Sequence, residues 1–362
     1  MIPLSNPKVR VEIIKAIEDT INNEYFVMGE SVYKFEEEFA KYIGTDHAIS
    51  TGSGTSALQL SLIALKAKGT EVITTPNTFI ATSNSIIHAE ATPVFSDIDP
   101  NTGNIDENKL IDTIKKNPKA SGILPVHIYG NPCNMDTIKE IAEKNNQFIL
   151  EDACQAHGAE YRNRKVGSIG DVGCFSFYTT KNLTVLGDGG MITTSNEKIA
   201  KEVSVLRDCG RISKYEHSVI GYTSRLNTIN AAIGRIHLKH LDDWNEQRRT
   251  IAKRYKKLLG EDKTLKETAD SKCVYHLFIL KVEASLRDAL IDHLKKEEIQ
   301  TGIHYPIPVH LQPAYRQRYN YTEGMLPQSE SFAKEIISLP MYPDLKDEDI
   351  NTICEKIHEV LS

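Results

Sequence analysis

Between Glu71 and about Thr194, short apolar segments alternate with stretches of helical spacing, and this alternation constrains the fold more than any other feature of the chain. EVITTP, TPVFSDI, SGILPVHIYG, QFILED, VGCFSFY and GGMITT read as buried strands, because they are short and rich in Val, Ile and Phe. SNSIIHAEA, ENKLIDTIKKN and NMDTIKEIAEKNN, which lie between them, repeat their apolar residues at helical spacing. Strands that alternate with helices predict an α/β fold on a mostly parallel sheet flanked by helices. Ligands of such sheets sit at the carboxyl ends of the strands. Pro76-Asn77-Thr78, Glu151-Asp152 and Lys181-Asn182 all come directly after strand segments and fall at those ends.

After Tyr222 the pattern changes. Leu226 to Leu259 reads as one long helical stretch, either continuous or broken, CVYHLFILKV as a strand, RDALIDHLKKEEI as a helix and QTGIHYP as another strand. This predicts a smaller C-terminal α+β domain, with 1–245 as the large domain and 246–362 as the small one. A chain of 362 residues is long enough for two domains. Its net charge of −6 lacks the basic footprint of a nucleic-acid binder. No apolar run is long enough to cross a bilayer, and MIPLSNPKVR has no apolar signal core. The expectation is a soluble, cytoplasmic protein with neither nucleic-acid nor membrane partners. The six cysteines form no CxxC pair, so reduced thiols are expected rather than a metal site or a disulfide framework.

Four segments bear on chemistry. Ser50-Thr51-Gly52-Ser53-Gly54-Thr55-Ser56 precedes the apolar helix ALQLSLIAL. Free N–H groups at a helix start suit a phosphate, although a plain helix cap accounts for the segment equally well. FILEDACQAHG ends a buried strand in two carboxylates. A carboxylate there can hold a proton on a pyridine nitrogen, or it can simply cap the next helix. CFSFYTTKN then LGDGG places Lys181 directly after an apolar strand, a poor position for a merely solubilising lysine. A lysine held there can form an imine with an aldehyde cofactor. Phe79 lies just beyond the strand EVITT, where an aromatic ring can stack on a cofactor or join the core. His127 and His157 flank this region, and Tyr315, Tyr319 and Tyr321 read as packing or loop residues rather than a stacking platform.

Taken in order, the segments resemble the DegT/StrS family of nucleotide-sugar aminotransferases, within the fold type I pyridoxal-phosphate (PLP) enzymes. The resemblance runs from GESVYKFEEEFAKYIG through SGTSAL, PNTFIATSNSI, ATPVFSDIDP, LPVHIYGNPCNMD, EDACQAHGAEY, GCFSFYTTKNLT and GDGGMITT. It continues to GYTSRLNTINAAIG, LDDWNEQRRTIAKRY and GIHYPIPVHLQPAY.

The resemblance implies PLP as cofactor, with Lys181 as the lysine that carries it and Asp152 as the partner of its pyridine nitrogen. It implies Gln155 on the ring hydroxyl oxygen, Phe79 stacked on the ring, and Thr55, Ser56 and Ser176 on the phosphate. Arg225 would reach the neighbouring subunit's active site in a homodimer, and His304 and Tyr305 would line a sugar pocket. Relatives commonly carry Asn where this chain has Thr223, which puts that residue's phosphate contact in question. Asp188 stands where many have Glu. The implied reaction moves an amino group from glutamate to a nucleotide-linked keto sugar. The segment Gly302–Gln312 resembles the version found in relatives acting at C3, so a 3-keto sugar is expected, with a 4-keto sugar as its competitor. Sugar dehydratases of this fold carry histidine in place of the lysine, so Lys181 argues against that activity. An aromatic amino-acid synthase on the same scaffold and a non-catalytic sensory protein also compete with this activity.

Overall fold

The computed structural model describes residues 1–7 and 11–361. Helices α1 (Val11–Asn23) and α2 (Glu30–Ile43) lead into β1 (His47–Thr51), and α3 (Gly54–Ala64) comes next. β2 (Glu71–Thr74), α4 (Ala81–His88), β3 (Thr92–Phe95), α5 (Glu107–Lys116), β4 (Ala120–Ile123), α6 (Met135–Lys144) and β5 (Phe148–Asp152) then alternate. β6 (Val172–Ser176), β7 (Gly190–Thr194) and α7 (Glu197–Arg207) complete this part. Seven strands form one sheet in the order β1-β7-β6-β5-β4-β2-β3. From β6 through β5, β4, β2 and β3 every pairing is parallel, as expected of the alternating pattern. β7 is antiparallel to both of its neighbours. No helix separates β6 from β7, so the chain has no crossover with which to return in parallel.

The hydrophobic pattern does not reveal β1. Its sequence, HAIST, has only two apolar side chains, yet Ser50 and Thr51 are fully buried. Glu36 accepts the Ser50 hydroxyl at 2.6 Å and its N–H at 2.9 Å, and the Thr51 hydroxyl donates to Ser53 O at 3.0 Å, so neither is buried without a partner. Apolar layers cover both faces of the sheet. On one, Phe35 and Phe39 of α2 meet Phe175 and Phe177, with Phe39 edge-on to Phe175 at 5.0 Å. On the other lies α3, whose Leu58, Leu60 and Leu62 are all buried, as in a helix that is apolar around most of its circumference.

The long helix after Tyr222 is α8 (Thr228–Leu259), 32 residues without a break, started by the Asn227 side chain accepting from Asn230 N–H. It packs on α1 and α2 and also on α12 (Asp347–Leu361). The expected boundary after residue 245 therefore falls inside a continuous helix, at buried Asn245. That side chain donates to His157 O at 2.8 Å and accepts from Asn182 at 2.9 Å.

Beyond α8, β8 (Phe278–Lys281) pairs antiparallel with β9 (Ile336–Leu339), and α9 (Ala284–Lys296), α10 (Pro313–Tyr319) and α11 (Pro327–Glu335) complete the C-terminal part. The strand expected at QTGIHYP does not form. Residues there make a single bridge, Gly302 to Ser338, before Pro306 removes a donor and turns the chain away. The partner of β8 is instead IISL, which abuts α11 with no turn signal between them and so gives no pattern of its own. CVYHLFILKV is a strand only in its second half, since Tyr275 takes a positive φ of 45°. Tyr315, Tyr319 and Tyr321 pack with Phe95, as expected from the sequence.

Candidate active site

A cavity of about 580 Å³ opens at the carboxyl edge of the sheet, within the size range of small-molecule sites. It gathers residues from the ends of β2, β5 and β6, the start of α3, and the loop around His304.

Asp152 is the last residue of β5 and is only 4% exposed. Its Oδ2 accepts the Thr82 hydroxyl at 2.7 Å and its Oδ1 accepts the Cys154 N–H at 3.1 Å. No helix begins at Cys154, so the Asp152 side chain is not a helix cap. It stands in the cavity wall together with Lys181. Lys181 lies in the connection from β6 to β7, where its N–H donates to Tyr178 O at 2.8 Å. Burial holds its amine below the usual lysine range, although the Cys154 thiol and Asp152 pull the other way. An amine with a depressed pKa is a better nucleophile near neutral pH.

One end of the cavity is the start of α3. Ser53 caps the helix by accepting from Ser56 N–H at 3.1 Å, and Ala57 N–H goes back to Ser53 O. The N–H groups of Gly54 and Thr55 are left facing outward from the helix end, as an anion requires. A side chain at Gly54 would place its Cβ 2.7 Å from that of Ser176. Only glycine lets this helix end close on β6 and bring the Ser176 hydroxyl beside it. Thr55 and Ser176 line the cavity. Ser56 does not: it sits one residue further along α3, and its hydroxyl pairs with Ser53 at 3.0 Å.

Phe79, Gln155, His304 and Tyr305 also stand on the cavity wall. Phe79 is 54% exposed and is not a core residue. Its ring lies 5.8 Å from that of Tyr305. Gln155 accepts the Tyr129 N–H at 2.8 Å through Oε1, which turns its amide nitrogen toward Tyr305 Oη at 3.1 Å. Burial, and after it the charge of Lys181, lowers His304 to about 4, and the same causes lower His276 well below the usual histidine range. Both rings are neutral at physiological pH.

Thr223 and Arg225 lie outside the cavity of their own chain. Thr223 is exposed, with its hydroxyl 3.3 Å from Cys209 Sγ, and Arg225 donates to Asp208 at 2.8 Å. Their stretch of chain nevertheless touches the anion end, because Gly52 N–H donates to Ser224 O at 3.0 Å. Asp188 lines the cavity. His127 and His157 are buried beside the site and are not part of its wall.

Sequence reasoning does not single out Thr82, Tyr129 or His276. Thr82 is hidden inside an amphipathic helix pattern, and the contacts of Tyr129 and His276 depend on how distant segments meet. A spacing signal does exist for Thr82, which lies four residues after Thr78 and shares a hydrogen bond with it at 2.7 Å.

An amine, a carboxylate, an outward-facing helix start with a neighbouring hydroxyl, and an exposed aromatic ring thus surround one cavity. Each matches one part of PLP: aldehyde carbon, pyridine nitrogen, phosphate and ring face. Fold and site together define a PLP-dependent aminotransferase of fold type I. The chain belongs to the DegT/DnrJ/EryC1/StrS aminotransferase family, whose sequence model matches residues 7–358. Among its relatives is the dTDP-3-amino-3,4,6-trideoxy-alpha-D-glucose transaminase of Streptomyces venezuelae. It is 39% identical, with 97% of this chain and 93% of that protein covered. A protein of Geobacillus stearothermophilus described as a pleiotropic regulatory protein is 41% identical over 97% of this chain and 95% of its own. The crystal structure of S. venezuelae DesV in complex with a ketimine intermediate superimposes with a TM-score of 0.95. Its identity is 38%, and 99% of this chain and 98% of that one are covered.

Proposed function

We propose that this enzyme transfers the amino group of glutamate to a nucleotide-linked 3-keto sugar, giving a 3-amino sugar for glycan, surface-polysaccharide or secondary-metabolite synthesis. The observation that carries the reading is the pairing of Lys181 and Asp152 on the wall of one cavity wide enough for a sugar beside the cofactor. When bound, the cofactor supplies an electron sink next to the carbon that loses its proton. Asp152, held by Thr82 and the Cys154 N–H, keeps a proton on the pyridine nitrogen. Lys181 carries the cofactor between turnovers, and its released amine moves the proton at the reacting carbon. Thr55 and Ser176, together with the Gly54 and Thr55 N–H groups, hold the phosphate, with Ser56 supporting them through Ser53. Phe79 covers one ring face, and Gln155 donates to the ring oxygen through the amide nitrogen that Tyr129 turns inward. His304 and Tyr305 face the sugar. The name of the S. venezuelae transaminase supports position 3.

The protein loaded with PLP, incubated with glutamate and a panel of nucleotide 3-keto and 4-keto sugars, should yield amino sugars readable by mass spectrometry. A higher kcat/KM for 4-keto sugars would reverse the regiochemistry. Absence of any turnover would favour the non-catalytic role that the name of the Geobacillus relative suggests.

The working unit is a homodimer with shared sites. Tyr25 (85% exposed), Phe26 and Val27 form an apolar ridge, tied to the 223–228 segment by the Val27–Asn227 bridge. Ile220 is 96% exposed at the near end of that segment. A second copy covering this face would receive Thr223 and Arg225 at its own anion end. Mixing Lys181→Ala and Arg225→Ala subunits should restore activity through hybrid dimers. A fully active monomer in sedimentation would refute the arrangement.

A further inference from the structure

We infer that Tyr129 is a positioning residue that fixes the sugar-facing wall, His304-Tyr305, at a set distance from the cofactor-facing amide of Gln155. The inference rests on the sugar reading above and assigns a role within that same site.

Tyr129 touches both sides of the cavity wall at once without lining the cavity. Its backbone N–H donates to Gln155 Oε1 at 2.8 Å. Its hydroxyl donates to the backbone carbonyl of His304. Gln155 Nε2 donates to Tyr305 Oη at 3.1 Å, and Tyr305 is bonded to His304. The contacts therefore close a ring: Tyr129 to Gln155, Gln155 to Tyr305, Tyr305 through the chain to His304, and His304 back to Tyr129. One arm of the ring comes from the connections that follow β4 and β5, and the other from the segment beyond Gly302.

The direction of every bond in the ring is determined. Asn77 Nδ2 donates to Gly103 O at 2.9 Å, so Asn77 Oδ1 is a second acceptor near the Tyr129 hydroxyl, at 3.3 Å. A phenol has one proton, and His304 O is the nearer acceptor. Burial raises the Tyr129 phenol above its ordinary range, so it remains a donor across the working pH range. Tyr129 adopts φ 58° and ψ 8°, a left-handed conformation that is strained for a residue other than glycine. That conformation aims the N–H at Gln155, and Gly130 O accepts Val274 N–H at 3.0 Å just beyond it. With Tyr305 Oη accepting from Gln155, its own proton remains available to an oxygen on the ligand.

The two contacts of Tyr129 are separable. Tyr129→Phe keeps the N–H, and hence Gln155, and removes only the hold on His304. The variant should bind PLP with an unchanged absorption band. Its single-turnover rate with glutamate should stay within about twofold of wild type. The KM for the keto sugar should rise about tenfold with kcat little changed, the scale of one buried carbonyl losing its donor. Tyr305→Phe should also raise the sugar KM, and the double variant should be no worse than the poorer single, because both break the same ring. Equal losses with glutamate and with sugar, a shifted cofactor band in Tyr129→Phe, or additive effects in the double variant would overturn the role. If Tyr129→Phe does not fold, an unchanged sugar KM in Tyr305→Phe alone overturns it. A wild-type protein that accepts no keto sugar overturns both this inference and the function on which it rests. A wild type that accepts the sugar while Tyr129→Phe matches it overturns this inference alone.

Discussion

Two neighbouring carboxylates at the end of β5, Glu151 and Asp152, are both buried and have opposite uses. Strand geometry sends successive side chains to opposite faces of the sheet. Asp152 goes to the cavity wall with two protein donors, leaving acceptor capacity for a ligand. Glu151 goes to the other face and is satisfied there. It accepts from Gly167 N–H at 2.8 Å, from Ile169 and Gly170 N–H at 2.7 Å, and from His127 Nε2 at 3.0 Å. His127 Nδ1 accepts from Cys133 N–H at 3.0 Å, which places the ring proton on Nε2, toward Glu151. Residue type and burial do not distinguish the two carboxylates. The number of lone pairs left unclaimed by the protein does.

The sharpest test of this contrast is Asp152→Asn. Turnover should fall by about 10²-fold or more, the scale of a positioned electrostatic group, while the melting temperature without cofactor changes little. Near-normal turnover would mean that Asp152 is as structural as its neighbour.

Glu151→Gln should do the reverse. It exchanges a charge held by four donors for an amide that must turn one N–H toward donors, at a cost of about 2 kcal/mol in unfolding free energy. The cofactor-loaded variant should keep most of its turnover. The effect should also depend on pH. Burial pushes the Glu151 carboxyl up, but its hydrogen bonds and the nearby His127 prevail and leave it below the ordinary value of 4.5. A lowered folded-state pKa gives stability that is fully present above the unfolded value and is lost as pH falls through the folded one. The difference in melting temperature between wild type and Glu151→Gln should therefore narrow progressively as pH falls from the ordinary glutamate value through the lowered folded one. A constant gap down to acid pH would break the argument.

Thr82→Val should have the smallest effect. It removes one of the two protein donors to Asp152 and keeps the shape of α4, so turnover should fall about five- to tenfold with stability nearly unchanged. No change in kcat would leave the Cys154 N–H as the only contact that matters.

The alternation from Glu71 to Thr194 makes the parallel part of the sheet legible, because buried strands and amphipathic helices differ in period. Lys181 is legible as a cavity residue for a related reason: a lysine directly after an apolar strand is poorly placed for a merely solubilising charge. Asp152 is set apart from Glu151 only by the family resemblance, because both carboxylates end the same apolar strand. β1 and β9 are not legible. One is buried with hydroxyls that bond to Glu36 and to Ser53 O, and the other merges with the helix before it. Ser56 and Tyr129 show the same limit within the site. Ser56 lies in the first turn of α3, as its segment suggests, but its hydroxyl turns to Ser53. Tyr129 gives no signal, because its value comes from His304, which lies far along the chain and meets it only after folding.

The unbroken course of α8 limits how such a chain can be assembled from interchangeable parts. A recombination point at residue 245 would cut a helix in mid-turn and remove the amide that joins His157 O to the Asn182 side chain, one residue from Lys181. The C-terminal part is thus no detachable module at that point. An exchange of the C-terminal part that leaves α8 whole would have to begin before Thr228 or after Leu259.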